Sequence, residues 1–167
     1  DEDMISEIED NLGMIRKLKN DYKRSVKIMD YIYETFTYTK NVTTVAKKAA
    51  EAFAMAKGVC QDYAHVMITL CRLCGIPARY VSGHLLGEGG THAWVEVFLP
   101  ATHQPDCSLV VPLDPTHGRQ VGMSYVTIST GCDYFDVAPT SGTFRAAYRG
   151  SLHARKRVAL SSLEYVQ

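Results

Sequence analysis

The chain lacks the long apolar stretch that a membrane-spanning segment needs. Its 167 residues contain no run that approaches the roughly 20 apolar residues of such a helix. An excess of charge of one sign is also missing, because 18 Lys and Arg residues balance 18 Asp and Glu residues. A formal net charge of zero argues against electrostatic capture of nucleic acid or of an anionic membrane. We therefore expect neither as a partner.

The chain also lacks the even number of cysteines that is typical of a disulfide framework in a small secreted protein. Its five cysteines are Cys60, Cys71, Cys74, Cys107 and Cys132. We therefore expect a reducing, cytoplasmic location with at least one thiol kept free. The chain begins at Asp1 without a methionine. We expect that an upstream segment has been removed, so the lack of a signal peptide says little about location.

Helical spacing dominates the first third of the chain. Apolar residues recur every three or four positions over the first forty residues, with a break near Asn20. An alanine-rich helix is predicted over Val45–Lys57, and Gly58 is expected to end it. A further helix is predicted over Cys60–Cys74, since Gly75 and Pro77 follow in the order typical of a helix C-terminus.

From Ala78 onward the apolar period changes to the alternation typical of strands. The predicted strands span 79–86, 92–99 and 109–113, with candidate edge strands at 125–128 and 158–160. The sequence has no repeats, linkers or low-complexity segments. Helices followed by antiparallel strands predict one α+β domain over 1–167, with N-terminal helices over about 1–57 and a core over about 58–150.

Cys60 is the first candidate for chemistry. It lies between a glycine and a predicted helix, so its sulfur is expected at a helix N-terminus. Free backbone N–H groups and the positive end of the helix dipole stabilise a thiolate at such a position. Asp62, in the same first turn, could tune the thiolate, but an acidic residue there usually just complements the dipole.

His92 and Asp114 are candidates because their strands can bring them together. His92 begins the clearest strand, where it shares a face with Trp94, and Asp114 ends the next strand. A hairpin folded about His103 would place positions 92 and 114 directly opposite each other, on one face of the sheet. The alternative is that Asp114 with Pro115 only initiates a turn.

Together the three residues form a plausible acyl-transfer triad. Cys60 is expected to be the nucleophile, His92 the base that later protonates the leaving amine, and Asp114 the group that orients the imidazole. The backbone N–H of Cys60 is expected to donate to the oxyanion. A second oxyanion donor is not identifiable from sequence.

Three blocks of the sequence resemble the transglutaminase-like (cysteine-protease-like) superfamily of bacteria. GVCQDYAH at 58–65, continued by CRLCGIPARYVSG at 71–83, resembles the nucleophile segment of that family. THAWVEV at 91–97 is similar to the histidine segment, and LDPT at 113–116 is similar to the aspartate segment. A weaker fourth block is DYFDVAP at 133–139. The resemblance covers about 21–150.

The resemblance implies a papain-like fold, in which a central helix carries the nucleophile and packs on an antiparallel sheet. It implies an enzyme acting on amide bonds of a peptide or protein, with no cofactor and no metal, because the calcium-binding regions of animal relatives have no match here. By resemblance Trp94, Tyr134 and Asp136 are expected to line the substrate cleft. Two departures could reshape it: Leu109–Pro112 replaces the usual tryptophan segment, and Cys132 stands where relatives carry a basic residue.

Several alternatives remain open from the sequence. Hydrolysis and transamidation share one thioester intermediate, and we favour hydrolysis because no pocket for an amine co-substrate is evident. The main alternative to an enzyme is a catalytically inactive binding module. A zinc or redox role for Cys71 and Cys74 is disfavoured, because both lie on an apolar helix stripe without a second ligand pair. The remaining histidines are expected to be non-catalytic, and they are His65, His84, His103, His117 and His153.

Overall fold

The helices precede the main sheet along the chain. A computed structural model describes residues 12–40, 49–101, 107–138, 145–151, 153 and 159. The helices in this part of the chain are α1 (12–17), α2 (Asp21–Thr35), α3 (Ala49–Met55) and α4 (Cys60–Leu73). None of these described helices is both long and apolar enough to cross a membrane.

The main sheet is antiparallel and has five strands, namely β3 (Ala78–Leu85), β4 (His92–Pro100), β5 (Ser108–Asp114), β6 (Arg119–Gln120) and β7 (Tyr125–Gly131). They lie side by side in the order β6-β5-β4-β3-β7. A second, two-stranded parallel sheet joins β1 (Thr37–Tyr38) to β2 (Lys57–Gly58). A 3-10 turn, Phe135–Val137, follows β7. The predicted α+β class with a central helix on an antiparallel sheet is confirmed.

The core lies between α4 and one face of the sheet. Helix α4 packs against β3 and β4, and α2 and α3 also pack against α4. The alternation predicted for β4 is confirmed, because its core-facing residues are buried in one apolar cluster: Ala93, Val95, Val97 and Leu99. Burial of these side chains with Met67 and Cys71 of α4 is the main apolar contribution that holds α4 on the sheet.

Gly58, which precedes α4, does not have the role that the sequence predicted. Helix α3 ends at Met55, and Ala56 adopts a left-handed φ of 46°, so Gly58 does not end that helix. Gly58 is required for another reason, because a Cβ there would overlap the Asp62 carboxylate. That carboxylate accepts a hydrogen bond from the Val59 N–H at 2.8 Å. Asp62 therefore caps the helix whose first residue is Cys60.

The β4–β5 hairpin has a different register from the predicted one. Val95 pairs with Leu113 and Leu99 pairs with Leu109, so Asp114 falls two residues away from the position opposite His92. A two-residue slip preserves the side-chain face, since strand side chains alternate with a period of two. His92 and Asp114 therefore remain on one face as diagonal neighbours, which long side chains can bridge.

The last described strand is longer than predicted. The edge strand expected at 125–128 is confirmed as β7, which extends to Gly131 and pairs with β3 on one side. The other predicted edge strand lies almost wholly outside the described residues, at positions 158 and 160. The predicted helix start at Val45 also lies outside them, as do the first apolar positions, Ile5 and Ile8.

Gly83 is predicted to be intolerant of any side chain. A Cβ at this position, where β3 shifts register against β7, would overlap the Val126 carbonyl and the Trp94 indole. We expect Gly83→Ala to lower the free energy of unfolding in urea by about 1–3 kcal/mol, as overpacking does. The control is Gly122→Ala, because nothing lies within 4 Å of a Cβ there. Equal stability of the two variants would contradict this packing.

Candidate active site

Cys60 occupies the N-terminus of α4, as the sequence predicted. Its side chain is half-buried and lines a cavity of about 390 Å³. The positive end of the helix dipole favours a negative charge at this first residue of the helix. The sulfur is thus accessible from a cleft and lies where a thiolate is stabilised.

His92 lies between Cys60 and Asp114. The imidazole is 3% exposed, and its Nε2–H donates to Asp114 Oδ2 at 2.7 Å. This leaves Nδ1 for the Cys60 thiol, which lies close enough to affect the titration of the imidazole. Burial lowers the pKa of His92, but the hydrogen bond with Asp114, the interaction with Cys60 and the charges of both outweigh it and raise the pKa to about 10. The ring is therefore held in its charged form at neutral pH.

The Asp114 carboxylate is fully buried and accepts five hydrogen bonds. Oδ1 accepts the backbone N–H groups of Thr116 and His117, at 2.9 and 3.3 Å. Oδ2 accepts from His92 Nε2 at 2.7 Å, His117 Nδ1 at 2.8 Å and the Tyr125 hydroxyl at 2.7 Å. Oδ1 thus stabilises the turn and Oδ2 orients the His92 imidazole. The predicted turn at Asp114 and its predicted contact with His92 are therefore both present.

These hydrogen bonds keep Asp114 ionised. Burial by itself raises the pKa of the carboxyl group, but the hydrogen bond and charge of His92 and the hydrogen bonds from Tyr125 and His117 outweigh it. The pKa falls to about 2 as a result. An ionised carboxylate can only accept hydrogen bonds, so the nitrogen of His92 that faces it must carry a proton.

Two further side chains at this carboxylate were not expected from the sequence. The sequence predicts a non-catalytic role for His117, but its side chain folds back onto Asp114, three residues earlier in the Asp-Pro turn. Tyr125 comes from the far edge of the sheet, and Arg119 Nε donates to its hydroxyl at 2.9 Å. No local pattern signals Tyr125, because its contact with Asp114 depends on the strand order.

Glu88 completes the group of charged residues around His92. It lies in the turn between β3 and β4, with its side chain 46% exposed. Its Oε1 lies 3.2 Å from His117 Nε2, and its Oε2 lies 3.7 Å from His92 Nδ1. A second carboxylate is therefore close to the nitrogen of His92 that faces Cys60.

Two neighbouring cavities flank His92. The cavity on the Cys60 side is walled by tyrosines, namely Tyr38, Tyr80 and Tyr134. The other, of about 680 Å³, is lined by Glu88 and His117, and both cavities include Lys40 and Thr91. Burial, followed by the charge of Cys60, raises the pKa of Tyr38 and of Tyr80. Both hydroxyls therefore stay protonated beside the sulfur.

The family model described as the transglutaminase-like superfamily matches residues 11–114, more than half of the chain. The chain belongs to the transglutaminase-like superfamily. The match ends at Asp114 and includes Cys60 and His92, the residues that the structure brings together. His117 and Tyr125 lie beyond the matched segment.

Relatives of this superfamily member include proteins without an assigned activity. An uncharacterized protein of Mycobacterium tuberculosis is 37% identical over 122 residues, which covers 66% of this chain and 38% of the relative. The uncharacterized protein YebA of Bacillus subtilis is 28% identical over 103 residues, covering 48% of this chain and 14% of YebA. The chain thus spans well under half the length of these relatives.

Solved structures resemble this superfamily member across most of its length. A "Putative Cysteine Protease" from Cytophaga hutchinsonii is 31% identical, with a TM-score of 0.66, covering 78% of this chain and 42% of that one. LapG from Legionella pneumophila, 14% identical with a TM-score of 0.60, covers 73% of this chain and 70% of LapG and shows the fold alone. Together, membership and the first likeness support a thiol enzyme in general terms.

The three residues expected to line the substrate cleft lie in different surroundings. Tyr134 lines the cavity beside Cys60, and its N–H donates to His65 Nε2 at 3.2 Å. Trp94 is fully buried, lines neither cavity described above, and packs edge-to-face on Tyr125 beneath His92. Asp136 also lines neither, and its carboxylate accepts the Cys132 N–H at 2.7 Å. Of the three, Tyr134 alone lines the cavity that contains Cys60.

Metal ligation was not expected, and the described residues offer one group that could provide it. Ligand atoms of His92, Asp114 and His117 lie within 4.8 Å of one another. Hydrogen bonds of 2.7 and 2.8 Å already join the two imidazoles to the carboxylate, which explains the grouping without an ion. Cys71 and Cys74 do not belong to this group of possible metal ligands. Cys71 is buried in the core, and its burial, followed by the charge of Cys74, raises the pKa of its thiol to about 12.

Replacing Asp114 with Asn is predicted to destabilise the protein in a pH-dependent way. The lowered pKa of Asp114 gives stability above its ordinary value of 3.8 that is lost as pH falls towards about 2. The raised pKa of His92 gives stability that is full below 6.5 and is lost as pH rises towards about 10. We therefore expect the loss to be greatest between about pH 4 and 6.5, and on the order of 3 kcal/mol, as for a broken buried ion pair.

Urea unfolding of both proteins across this pH range measures that loss. The matched control is Asp136→Asn, which alters an exposed carboxylate and should cost under about 1 kcal/mol at every pH. A loss for Asp114→Asn that does not vary with pH would contradict the ionised pair.

Proposed function

We propose that this chain is a thiol-dependent acyl-transfer enzyme that acts on amide bonds of peptides or proteins. Cys60 is the nucleophile, His92 exchanges the proton, and Asp114 orients the imidazole. The observation that carries the proposal is the position of His92, which lines the same cavity as Cys60 and is hydrogen-bonded through Nε2 to the buried Asp114 carboxylate at 2.7 Å.

The geometry supports a thiolate–imidazolium pair as the resting form. A charged His92 next to Cys60 favours the thiolate, which is the nucleophilic form of cysteine. The thiolate attacks the amide carbonyl, and the backbone N–H of Cys60 donates to the developing oxyanion. His92 then gives its Nδ1 proton to the leaving amine, which leaves a thioester on Cys60. Water attacks the thioester carbonyl and gives a proton to the now neutral Nδ1 of His92. The C–S bond then breaks, which releases the carboxylic acid and restores the thiolate–imidazolium pair.

The cleft offers space for both sides of the scissile bond. The tyrosine-walled cavity holds Cys60, and the larger cavity lies next to His92 on the Glu88 side. We assign the first to the acyl part of the substrate and the second to the leaving group. The larger cavity also has room for an amine, so transamidation is the second candidate activity. A catalytically inactive binding module is less favoured, because such a module does not need a charged His92.

Alkylation kinetics are predicted to reveal the activated nucleophile. We expect iodoacetamide to label Cys60 at pH 6 at least about tenfold faster than a thiol with the ordinary pKa of about 8.5. Cys107 and Cys132 are exposed free thiols and provide that comparison within the same molecule. His92→Ala should remove the advantage of Cys60, because the thiolate loses its cationic partner. Peptide mapping by mass spectrometry measures all three sites.

The matched control for this experiment is His153→Ala, since His153 is exposed and contacts Ser151. It should leave the rate at Cys60 unchanged. If Cys60 reacts no faster than Cys107 and Cys132, or if His92→Ala has no effect, the chain is better explained as an inactive member of the superfamily.

The products of a peptide mixture are predicted to distinguish the two reactions. Incubated with a peptide library, the enzyme should yield new carboxyl termini, or Glu in place of Gln, because water reaches the thioester. Addition of a primary amine at millimolar concentration should divert only a minor fraction to amine-linked products. Cys60→Ala should abolish both kinds of product. Amine-linked products as the main outcome would assign the enzyme to transamidation instead.

A further inference from the structure

Glu88 lies between two histidines that compete for its carboxylate. Its Oε1 is 3.2 Å from His117 Nε2, within hydrogen-bond distance, and its Oε2 is 3.7 Å from His92 Nδ1, just outside it. The side chain extends from an exposed turn whose backbone is fixed by the Glu88 N–H to Leu85 carbonyl hydrogen bond of 3.0 Å. A change in side-chain torsion alone would bring Glu88 onto His92.

Such a movement would disturb the catalytic pair. Nδ1 is the nitrogen of His92 that is left for Cys60, because Nε2 donates to Asp114. A carboxylate hydrogen-bonded to Nδ1 would take the place of the thiolate as partner of the imidazolium. Lys40 lines the same cavity and could also attract Glu88, but it is exposed, and solvent screens an exposed pair more than a buried one.

His117 is arranged so that it restrains Glu88. Its Nδ1 lies 2.8 Å from Asp114 Oδ2 while its Nε2 faces Glu88, so both ring nitrogens point at carboxylate oxygens. The ring thus spans the two carboxylates, with a hydrogen bond to Asp114 on one side and an ion-pair contact with Glu88 on the other. The ring is anchored from its own backbone as well, because the His117 N–H donates to Asp114 Oδ1.

We propose that His117 is a positioning residue that holds the Glu88 carboxylate away from Nδ1 of His92, so that this nitrogen stays free to serve Cys60. The proposal rests on the proposed function, in which Cys60 and His92 form the reactive pair. It goes beyond that function because it assigns a role to two residues outside the triad. It also sets His117 apart from a residue that merely completes the Asp114 turn.

The test is a double-mutant cycle read out by the rate of Cys60 alkylation with iodoacetamide at pH 6 to 8. We expect His117→Phe, which keeps a ring but removes both donors, to slow labelling by about tenfold, a coupling typical of residues in contact. Adding Glu88→Ala to that variant should restore the rate to within about threefold of Glu88→Ala alone. A purely structural role of His117 predicts no such rescue, because removing Glu88 does not rebuild the turn.

Controls separate this proposal from the function on which it depends. His153→Phe makes the same chemical change at an exposed histidine and should not slow labelling. If His117→Phe fails to fold by circular dichroism, His117→Asn, which is too short to span both carboxylates, carries the same test. Wild-type Cys60 that labels no faster than Cys107 would overturn the proposed function itself. Fast wild-type labelling that is unaffected by the His117 variants, or slowed labelling that Glu88→Ala does not rescue, would overturn the role of His117 alone.

Discussion

Asp114 carries a fully buried carboxylate at the end of β5. A fully buried charge is costly unless it is hydrogen-bonded and paired, and here five donors surround it. These donors come from β4, from the turn after β5 and from β7, so one group fixes the relative positions of three segments. The same contacts that stabilise the charge set the orientation of the His92 ring. Stability and the arrangement of the reactive groups are therefore coupled at this one residue.

The fold brings the sulfur to this arrangement through a tightly packed helix start. Gly58 lets the Asp62 carboxylate approach and cap the Val59 N–H, so α4 begins at Cys60. Farther along α4, His65 accepts the N–H of Tyr134 and packs at a tilt against Tyr80. Burial lowers the pKa of His65, which keeps it neutral and able to accept. One helix thus positions Cys60 and supports two walls of the cavity that it lines.

Much of the fold was predictable from the sequence, as were the helix start at Cys60 and the contact of His92 with Asp114, because those features depend on local patterns. Alternation in β4 and the Gly-Cys junction before α4 are short-range signals, and even the two-residue error in hairpin register kept His92 and Asp114 on one face. Long-range contacts were not predictable in the same way. Tyr125 reaches Asp114 only because β7 pairs with β3, and the importance of Glu88 depends on distances that no spacing rule provides. Trp94 shares the face of His92 as predicted, yet close packing with Gly83 and Tyr125 buries it.

His92 lies between the Asp114 carboxylate and Cys60, and both raise the pKa of its imidazole. NMR titration of the His92 ring nitrogens in the wild-type protein and in Cys60→Ala measures this effect. Wild-type His92 should stay protonated well above pH 7, and loss of Cys60 should move its titration to lower pH, since one of the two groups that raise its pKa is gone. A wild-type His92 that titrates near 6.5, with no change in Cys60→Ala, would contradict this arrangement.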